Sequence, residues 1–301
     1  MKARLHRMSD DEAREMLEGI RWPNGPVCVH CGSVNVTRLN GKSTRPGLLK
    51  CRDCRKQFSV TVGTIFEASH IGLGDWMYAF ASMCASKKGI SAHQLHRELE
   101  VQYKTAWFMC HRIRFAMQHD GGMLKGDLEM DETYVGGVPR DPKKRGTGRG
   151  TTKTPVVGLV ERDGQVRTRV VATVTAGILR ETIDMHAHRD GTLYTDEFQG
   201  YIRLGREFAG GHKTTKHSIG EYGRPDGTNS NTIESFFATM KRGVYGTFHR
   251  ISPDHLHRYC AEFEFRWNSR DADDYTRTVK ALGQTEGKRL MYKGHLGNSA
   301  I

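Results

Sequence analysis

The sequence lacks a long apolar run. No stretch reaches the roughly 18 consecutive apolar residues that a membrane-spanning helix needs. A secretory leader pattern is also missing, since the first 20 residues carry charges throughout. No internal repeat of solenoid length is present. These absences argue against a membrane or repeat protein, and we expect a cytoplasmic one.

Acidic residues are fewer than basic ones. The 301-residue chain has 34 Asp and Glu against 46 Lys and Arg, a net charge of +12. So basic a chain indicates a polyanionic partner, most often nucleic acid, although the charge could serve solubility alone. The length allows two or three domains, and the 37% hydrophobic content suffices for at least one sizeable core.

Cysteine is scarce and odd in number, with seven residues, which argues against a disulfide framework. Four of them form two Cys-x-x-Cys pairs, Cys28 with Cys31 and Cys51 with Cys54. Two such turns present four thiolates in a tetrahedron, the arrangement of a structural Zn²⁺ in a zinc ribbon. The other three lie in helical patterns and are expected to be buried small hydrophobic residues: Cys84, Cys110 and Cys260.

Residues 75–118 have a helical pattern that breaks at Gly89 and again near residue 100. Two short helices joined by a tight turn are typical of a helix-turn-helix, whose later helix contacts DNA. The polar face of that helix, which we predict to bind DNA, carries Lys104, Thr105, His111, Arg112 and Arg114. The alternative is a plain helical bundle with a solvated basic face. The adjacent zinc ribbon in a basic protein favours DNA binding.

From about residue 125 the pattern changes to alternating strands and helices. The predicted order is three strands, helix, strand, helix, strand, and then helices at about 232–243 and 253–268. The stretch "RDGQ" is the expected hairpin turn between the second and third strands. This order predicts a mixed α/β domain built on one sheet.

A basic, glycine-rich segment separates the first two of these strands. Residues 139–155, "PRDPKKRGTGRGTTKTP", contain no large apolar residue. The composition predicts a mobile loop that either contacts a phosphate backbone or is a solvated insertion.

Three carboxylates are candidates for one site. Asp131 lies on the first strand of the α/β domain, Asp196 ends a later strand in "TLYTDEFQGY", and Glu234 lies on a helix. That helix has an apolar stripe, and beside the stripe Asn231, Glu234 and Lys241 fall within about a quarter-turn. Each acid alone could be a strand-end residue, a helix cap or a surface charge; their order on strand, strand and helix favours a shared site.

Three converging carboxylates repel one another unless a cation lies among them. Hard oxygen ligands select Mg²⁺ or Mn²⁺, and two such ions can activate the attacking oxygen and stabilise the leaving oxygen of a phosphodiester. Lys241 could hold a nearby DNA phosphate.

Long ordered motifs cover nearly the whole chain. They are "RWPNGPVCVHCGS", "CRDCRKQFSVTVGTIFE", "KTAWFMCHRIRFAM", "MDETYVGG", "YTDEFQGY" and "NTIESFFATMKRGVYGTFHRISPDHLHRYCAEFEFRWNSR". On these motifs the chain resembles DDE transposases of bacterial insertion sequences, specifically the zinc-ribbon branch of insertion-sequence 1595 type. One departure is Val29, where a proline often follows the first cysteine of the motif; it affects no zinc ligand.

The resemblance implies a ribonuclease-H-like catalytic domain with an Asp, Asp, Glu triad and a downstream basic residue. These roles fall on Asp131, Asp196, Glu234 and Lys241, and the spacings are 65 (196 − 131) and 38 (234 − 196). Asn231, Lys241 and Arg242 are the expected DNA contacts of this domain. The expected organisation is an N-terminal helix (1–21), a zinc ribbon (22–66), a helix-turn-helix-like region (67–120), the catalytic domain (121–283) and a loosely ordered tail (284–301).

The expected function is that of a transposase that binds the terminal inverted repeats of its element. It would cut the double-stranded DNA ends with a metal-activated water and join the 3′-hydroxyls to target DNA, as a homo-oligomer on DNA. A catalytically silent DNA-binding regulator is the alternative of another class, and a nuclease that cuts without joining is the nearer enzymatic one.

Overall fold

The computed structural model describes residues 8–118, 122–136, 153–215 and 227–291. Most of the basic segment 139–155 therefore lies outside the described residues. Within the described part, no helix is long and apolar enough to cross a membrane. The chain divides into two compact units. The first contains residues 8–86, 90–117 and 271–291, and the second contains residues 87–89 together with the described residues between 118 and 270.

The elements are numbered in chain order within the described residues. The helices are α1 (Asp10–Arg21), α2 (Leu73–Ala85), α3 (Ala92–Leu99), α4 (Tyr103–Ala116), α5 (Ala176–His186), α6 (Gln199–Gly205), α7 (Asn231–Gly243), α8 (Pro253–Trp267) and α9 (Asp274–Gly283). The strands are β1 (Val36–Arg38), β2 (Leu49–Cys51), β3 (Gln57–Phe58), β4 (Leu128–Val135), β5 (Thr154–Glu161), β6 (Val166–Val170), β7 (Leu193–Thr195) and β8 (His212–Thr214). A π-helix, Val244–Phe248, follows α7.

The first unit begins with a capped helix and a small sheet. Ser9 and Glu12 form a capping box at the start of α1, in which each side chain accepts from the backbone N–H of the other residue. Strands β1, β2 and β3 form an antiparallel sheet in that order. The strands have only two or three residues each, and their buried side chains are Leu49, Cys51 and Phe58. Since so small a sheet is marginal by itself, we expect its cysteines to contribute much of its stability.

Helices form the rest of the first unit. Ser91 accepts a hydrogen bond from the N–H of Gln94 (3.1 Å) and caps α3. A three-residue turn containing Glu100 in the left-handed conformation (φ 55°) connects α3 to α4. Helix α9 packs against α1, α2 and α4, with Thr278, Ala281 and Leu282 buried.

The packing of α9 differs from the expected domain boundaries. Residues 271–283 were expected in the catalytic domain, but they lie in the first unit because the apolar stripe of α9 is buried there. The described part of the expected tail is packed as well. The ammonium of Lys288 donates to the carbonyl of Ala116 (3.1 Å), and Leu290 is buried.

The second unit is a mixed α/β structure, as predicted. Its sheet has the order β6-β5-β4-β7-β8. Strands β6, β5 and β4 are antiparallel neighbours, whereas β4, β7 and β8 run parallel. The hairpin turn falls at 162–165, as expected from "RDGQ", with Asp163 in the left-handed region (φ 60°).

Helices cover both faces of this sheet. Strand residues such as Leu128, Met130 and Leu159 pack with α5 and α6 in one core. Val135, Val156 and Val160 pack with α7 and α8 in the other. Because side chains alternate along a strand, odd-numbered residues of β4 face α7.

A glycine sets how closely α7 approaches the sheet. A Cβ on Gly158 of β5 would lie 2.7 Å from Ile233 Cδ1 and 2.7 Å from Phe237 Cζ, both on α7. The absence of a side chain there lets the buried stripe of α7 rest directly on β5.

Replacing Gly158 with alanine should destabilise the second unit by about 1–3 kcal/mol, because the added methyl overpacks a closed interface. Urea unfolding would measure this loss. The control is Gly177→Ala on α5, where the added Cβ would have its nearest neighbour at 3.9 Å. Equal stability of the two variants would contradict this account of the packing.

Candidate active site and zinc centre

Strand pairing brings Asp131 and Asp196 side by side. In the parallel pair of β4 and β7, Glu129 is opposite Tyr194. Asp131 is two residues after Glu129, and Asp196 is two residues after Tyr194. In this register the two aspartates are therefore neighbours. Adjacent parallel positions point to the same face of a sheet, so the two carboxylates share a face.

Glu234 lies over that same face. Asp131 is directly opposite Gly158 in the antiparallel pair of β4 and β5. Gly158 is the point at which Ile233 and Phe237 of α7 touch the sheet. Since Glu234 follows Ile233, the packed stripe of α7 holds its carboxylate beside the two aspartates.

The electrostatics of Asp131 reflect this convergence. Burial, followed by the charge of Glu132, raises the pKa of Asp131 to about 8, and the charges of Asp196 and Glu234 add to the increase. A hydrogen bond from the N–H of Glu132 to Asp131 Oδ1 (2.7 Å) acts in the opposite direction on this pKa. Asp131 therefore holds its proton near neutral pH unless a cation compensates the surrounding negative charge.

Local hydrogen bonds orient the other two acids. The N–H of Phe198 donates to Asp196 Oδ1 (3.0 Å), a turn that fixes this side chain at the end of β7. The hydroxyl of Ser230 donates to Glu234 Oε1 (3.0 Å). Both carboxylates are thus held at the edge of the sheet, each by a neighbour close in sequence.

The donor set fits Mg²⁺ or Mn²⁺, which prefer carboxylate oxygens. Among the described residues, the four zinc-ribbon cysteines form the metal-ligating group whose ligand atoms all lie within 4.8 Å of one another. The three carboxylates are on one face but are not drawn that close, as expected for like charges.

The remaining candidates on α7 differ in exposure. Asn231 and Arg242 are exposed, and Lys241 is half-buried. Lys241 lies seven residues beyond Glu234, or roughly 10 Å along the helix axis. Lys241 is therefore about two helical turns away from Glu234.

The prediction that one face of α4 contacts DNA needs correction. Lys104 is exposed and Thr105 is half-buried at the start of the helix. His111, Arg112 and Arg114 are buried, with exposed fractions of 0%, 7% and 2%. Buried side chains cannot reach a base edge, so the prediction that these three face DNA does not fit their positions.

Arg112 has a structural role in the first unit. Its guanidinium donates to the backbone carbonyls of Glu67 (3.1 Å) and Leu290 (3.4 Å), and it lies 5.0 Å from the ring centroid of Phe108. Burial lowers the pKa of Arg112. The helical pattern of the sequence identified the polar side of α4 but not the segments that cover it.

The four cysteines of the ribbon are placed for zinc. Cys28 Sγ lies 3.6 Å from Cys54 Sγ, and Cys31 Sγ lies 3.6 Å from Cys51 Sγ. A tetrahedral site with Zn–S bonds of about 2.3 Å has sulfur–sulfur edges of about 3.8 Å, which agrees with these distances. The prediction of a structural zinc site is confirmed at the level of its ligand set. The other three cysteines are buried as expected: Cys84, Cys110 and Cys260.

Two further acids near the site were not identified from the sequence. Glu129 is almost completely buried (1% exposed) on the same face of β4 as Asp131. Glu132 points to the opposite face, where its Oε2 accepts from the hydroxyl of the buried Tyr201 (2.7 Å). The signal available in "LEMDE" was the two-residue spacing from Glu129 to Asp131, which puts both side chains on one face of a strand.

Comparison with known proteins identifies the family of the chain. Residues 123–268 match the family profile of the ISXO2-like transposase domain, and residues 8–57 match the transposase zinc-ribbon domain. The first match contains the three carboxylates, and the second contains all but one residue of the three-stranded ribbon. These features define the chain as a transposase of an insertion sequence.

A relative of similar length also matches. The chain is 31% identical over 272 residues, 86% of this chain and 91% of the other, to an uncharacterized protein in transposable element ISH50 of Halobacterium salinarum. The chain belongs to the insertion-sequence 1595 family of transposases.

The pKa of Asp131 makes the stability of the metal-free protein pH-dependent. The folded value of about 8 is above the ordinary value of about 3.9, so the folded state retains a proton that the unfolded chain has lost between these pH values. Stability should therefore fall as pH rises through this window. Asp131→Asn should remove this fall and gain about 1–2 kcal/mol at pH 8.5.

Urea unfolding of the metal-free wild type and of Asp131→Asn at pH 6 and pH 8.5 measures the difference. Saturating Mg²⁺ should abolish the advantage of the variant, since the cation stabilises the ionised carboxylate. Parallel pH dependence in the two proteins would show that Asp131 keeps an ordinary pKa.

Proposed function

We propose that this transposase is catalytically competent and that Asp131, Asp196 and Glu234 carry the reaction. The observation behind the proposal is that two neighbouring strands and one packed helix direct three carboxylates to one face of a sheet. The charge of Asp131 is strongly disfavoured there without a cation. A cluster of acids that lowers the stability of the fold in this way is typical of a functional site and not of a group that stabilises the fold.

A ribonuclease-H-like fold is part of the proposal. The order β6-β5-β4-β7-β8 is, counted from the first strand of the unit, 3-2-1-4-5, with three antiparallel strands followed by two parallel ones. This order places the end of β7 beside β4, as the proposed triad requires. The adjacent aspartates would come from the strands and the glutamate from the covering helix.

The residues have separate tasks in the proposed reaction. Asp131, Asp196 and Glu234 would hold Mg²⁺ or Mn²⁺, which when bound supplies Lewis-acid activation of the attacking oxygen and stabilises the leaving oxygen. Ser230 orients the carboxylate of Glu234 through its hydroxyl. Lys241 would bind a flanking phosphate and fix the DNA strand over the sheet edge. Hydrolysis at the element end would free a 3′-hydroxyl. Attack of that hydroxyl on a target phosphodiester would form a new phosphodiester bond and break the old one, releasing a 3′-hydroxyl on the target strand.

The first unit would recognise the element ends. The zinc ribbon and the α3–turn–α4 pair are the proposed DNA-binding parts, with the pair acting as a helix-turn-helix. Its exposed candidates are Lys104 and Tyr103 at the start of α4; the Tyr103 ring stacks on His93 at 4.2 Å between centroids. Since an element has two ends, a homo-oligomer on double-stranded DNA would be the active form.

A gel assay with labelled DNA carrying the element's own ends tests this function. The wild-type protein should nick the end and produce joined strands in Mg²⁺ or Mn²⁺, and neither product should form in EDTA. Cutting without joined products would favour a nuclease. End binding without metal-dependent cutting would identify a silent regulator descended from a transposase.

A further inference from the structure

The side chain of the N-cap residue does not cap α7. Its N-cap residue is Ser230, whose hydroxyl donates to Glu234 instead of accepting from the first helical turn. The first N–H groups of a helix need acceptors, and burial without them is costly. The N–H of Asn231 donates to Asn229 Oδ1 (3.2 Å), whereas the acceptor for the next two N–H groups comes from elsewhere in the fold.

Glu129 of β4 supplies that acceptor. Its Oε2 accepts from the backbone N–H groups of Thr232 (2.8 Å) and Ile233 (3.0 Å), and its Oε1 accepts from the hydroxyl of Thr232 (3.0 Å). A carboxylate at this end of a helix also interacts favourably with the helix dipole. One buried side chain thus binds the first turn of α7 to the central strand.

Arg162 extends this contact to the segment before α7. Its Nε lies 3.3 Å from Glu129 Oε1, and its two terminal nitrogens donate to the carbonyls of Gly227 (3.0 Å) and Asn229 (2.7 Å). The guanidinium lies 3.6 Å from the ring centroid of Tyr194 on β7. Arg162 therefore connects the start of α7 to both strands that carry the aspartates.

The residues of this contact are close in sequence to the three proposed catalytic acids. Glu129 is two residues before Asp131, Tyr194 is two residues before Asp196, and Ile233 directly precedes Glu234. Each catalytic acid is thus within two residues of an anchored position. Oε2 of Glu129 accepts two hydrogen bonds, and Oε1 accepts one and faces the Arg162 guanidinium, so this carboxylate is already engaged and is not assigned as a ligand in the same set.

We propose that Glu129, together with Arg162, is a positioning residue that fixes Glu234 relative to Asp131 and Asp196. The proposal rests on the catalytic role of those three acids. Without this cap the first turn of α7 would fray, and Glu234 would no longer be held at a fixed distance from the aspartates. The affinity for the metal would decrease while the protein stays folded, because the stripe of α7 remains packed on the sheet.

Glu129→Gln tests the proposal, since glutamine keeps the size but replaces one acceptor oxygen by an NH₂ donor. We expect amide hydrogen exchange at Thr232 and Ile233 to speed up at least about tenfold. Mn²⁺ affinity, measured by calorimetry without DNA, should fall about tenfold or more, and the Mg²⁺ concentration for half-maximal cleavage should rise similarly. Cleavage at saturating Mg²⁺ should recover most of the wild-type rate.

Glu264→Gln is the matched control. Glu264 on α8 is also a buried carboxylate that accepts from a backbone N–H and a hydroxyl, both of Thr168 (N–H to Oε1, 2.7 Å), but it does not contact α7 in these bonds. This control should leave the exchange at α7 and the Mn²⁺ affinity unchanged. If Glu129→Gln does not fold, Glu129→Asp retains the charge and withdraws it by one methylene, and the same changes are expected at smaller size.

Exchange at Thr232 and Ile233 unchanged from wild type would overturn the proposal, as would faster exchange with unaltered Mn²⁺ affinity. Neither measurement needs DNA cleavage. A wild-type protein that binds Mn²⁺ yet cuts no DNA would count against the proposed function, while the comparison of the variants would still decide the role of Glu129.

Discussion

Glu234→Gln is expected to reduce both cleavage and joining of element ends at least about a thousandfold, because a lost metal ligand removes several kcal/mol of transition-state stabilisation. Glutamine keeps the length of the side chain and can still accept the hydrogen bond from the Ser230 hydroxyl. The apolar stripe of α7 is untouched. The fold and the end binding should therefore survive, and only the chemistry should be lost.

The measurement is the gel assay on labelled ends, with a gel shift on the same DNA to report binding. The matched control is Glu181→Gln, an exposed glutamate on α5 that pairs with Arg169 (2.8 Å) across the opposite face of the sheet. Glu181→Gln should cleave and join like the wild type. Retention of more than about a tenth of the wild-type rate by Glu234→Gln would remove this residue from the catalytic set.

The second large effect concerns zinc. Cys51→Ser should abolish zinc binding and unfold the ribbon, because metal binding contributes on the order of 10 kcal/mol to small zinc domains. Strands β1, β2 and β3 together bury too little apolar surface to compensate. Binding of the element ends should fall to the nonspecific level, since the ribbon is one of the proposed recognition elements.

Zinc content, thermal unfolding and the gel shift measure these effects together. Cys110→Ala is the control, a buried cysteine on α4 outside the zinc set, and it should keep one zinc per chain. The second unit should remain folded in Cys51→Ser, which Mn²⁺ calorimetry would report. A metal-free protein with an intact ribbon and undiminished end binding would show that zinc is dispensable for recognition.

The sequence by itself determined the parts that depend on neighbouring residues. Two Cys-x-x-Cys turns define a tetrahedral thiolate set because each turn delivers its two ligands locally. The apolar stripe predicted on the helix of Glu234 is buried: Ile233, Phe236, Phe237 and Met240 lie on α7, and Val244 begins the π-helix that follows it. The alternation of strands and helices likewise predicted a mixed sheet, which the structure has.

Tertiary structure alone decided which faces are covered and which distant segments meet. The polar side of α4 looked suited to DNA, yet His111, Arg112 and Arg114 are buried, and Arg112 binds carbonyls at Glu67 and Leu290. Helix α9 follows the α/β unit in sequence but packs in the first unit. A helical period shows that a face is polar; it contains no information about the segment that will lie against that face.

The site shows the same division. Motif and order pointed to Asp131, Asp196 and Glu234, but their arrangement on one face follows from strand register and from the missing side chain of Gly158. The cap that Glu129 provides joins residues 103 positions apart. Local chemistry fixes which side chains can act, whereas their convergence requires long-range pairing, whose geometry exists only after the sheet and α7 have packed.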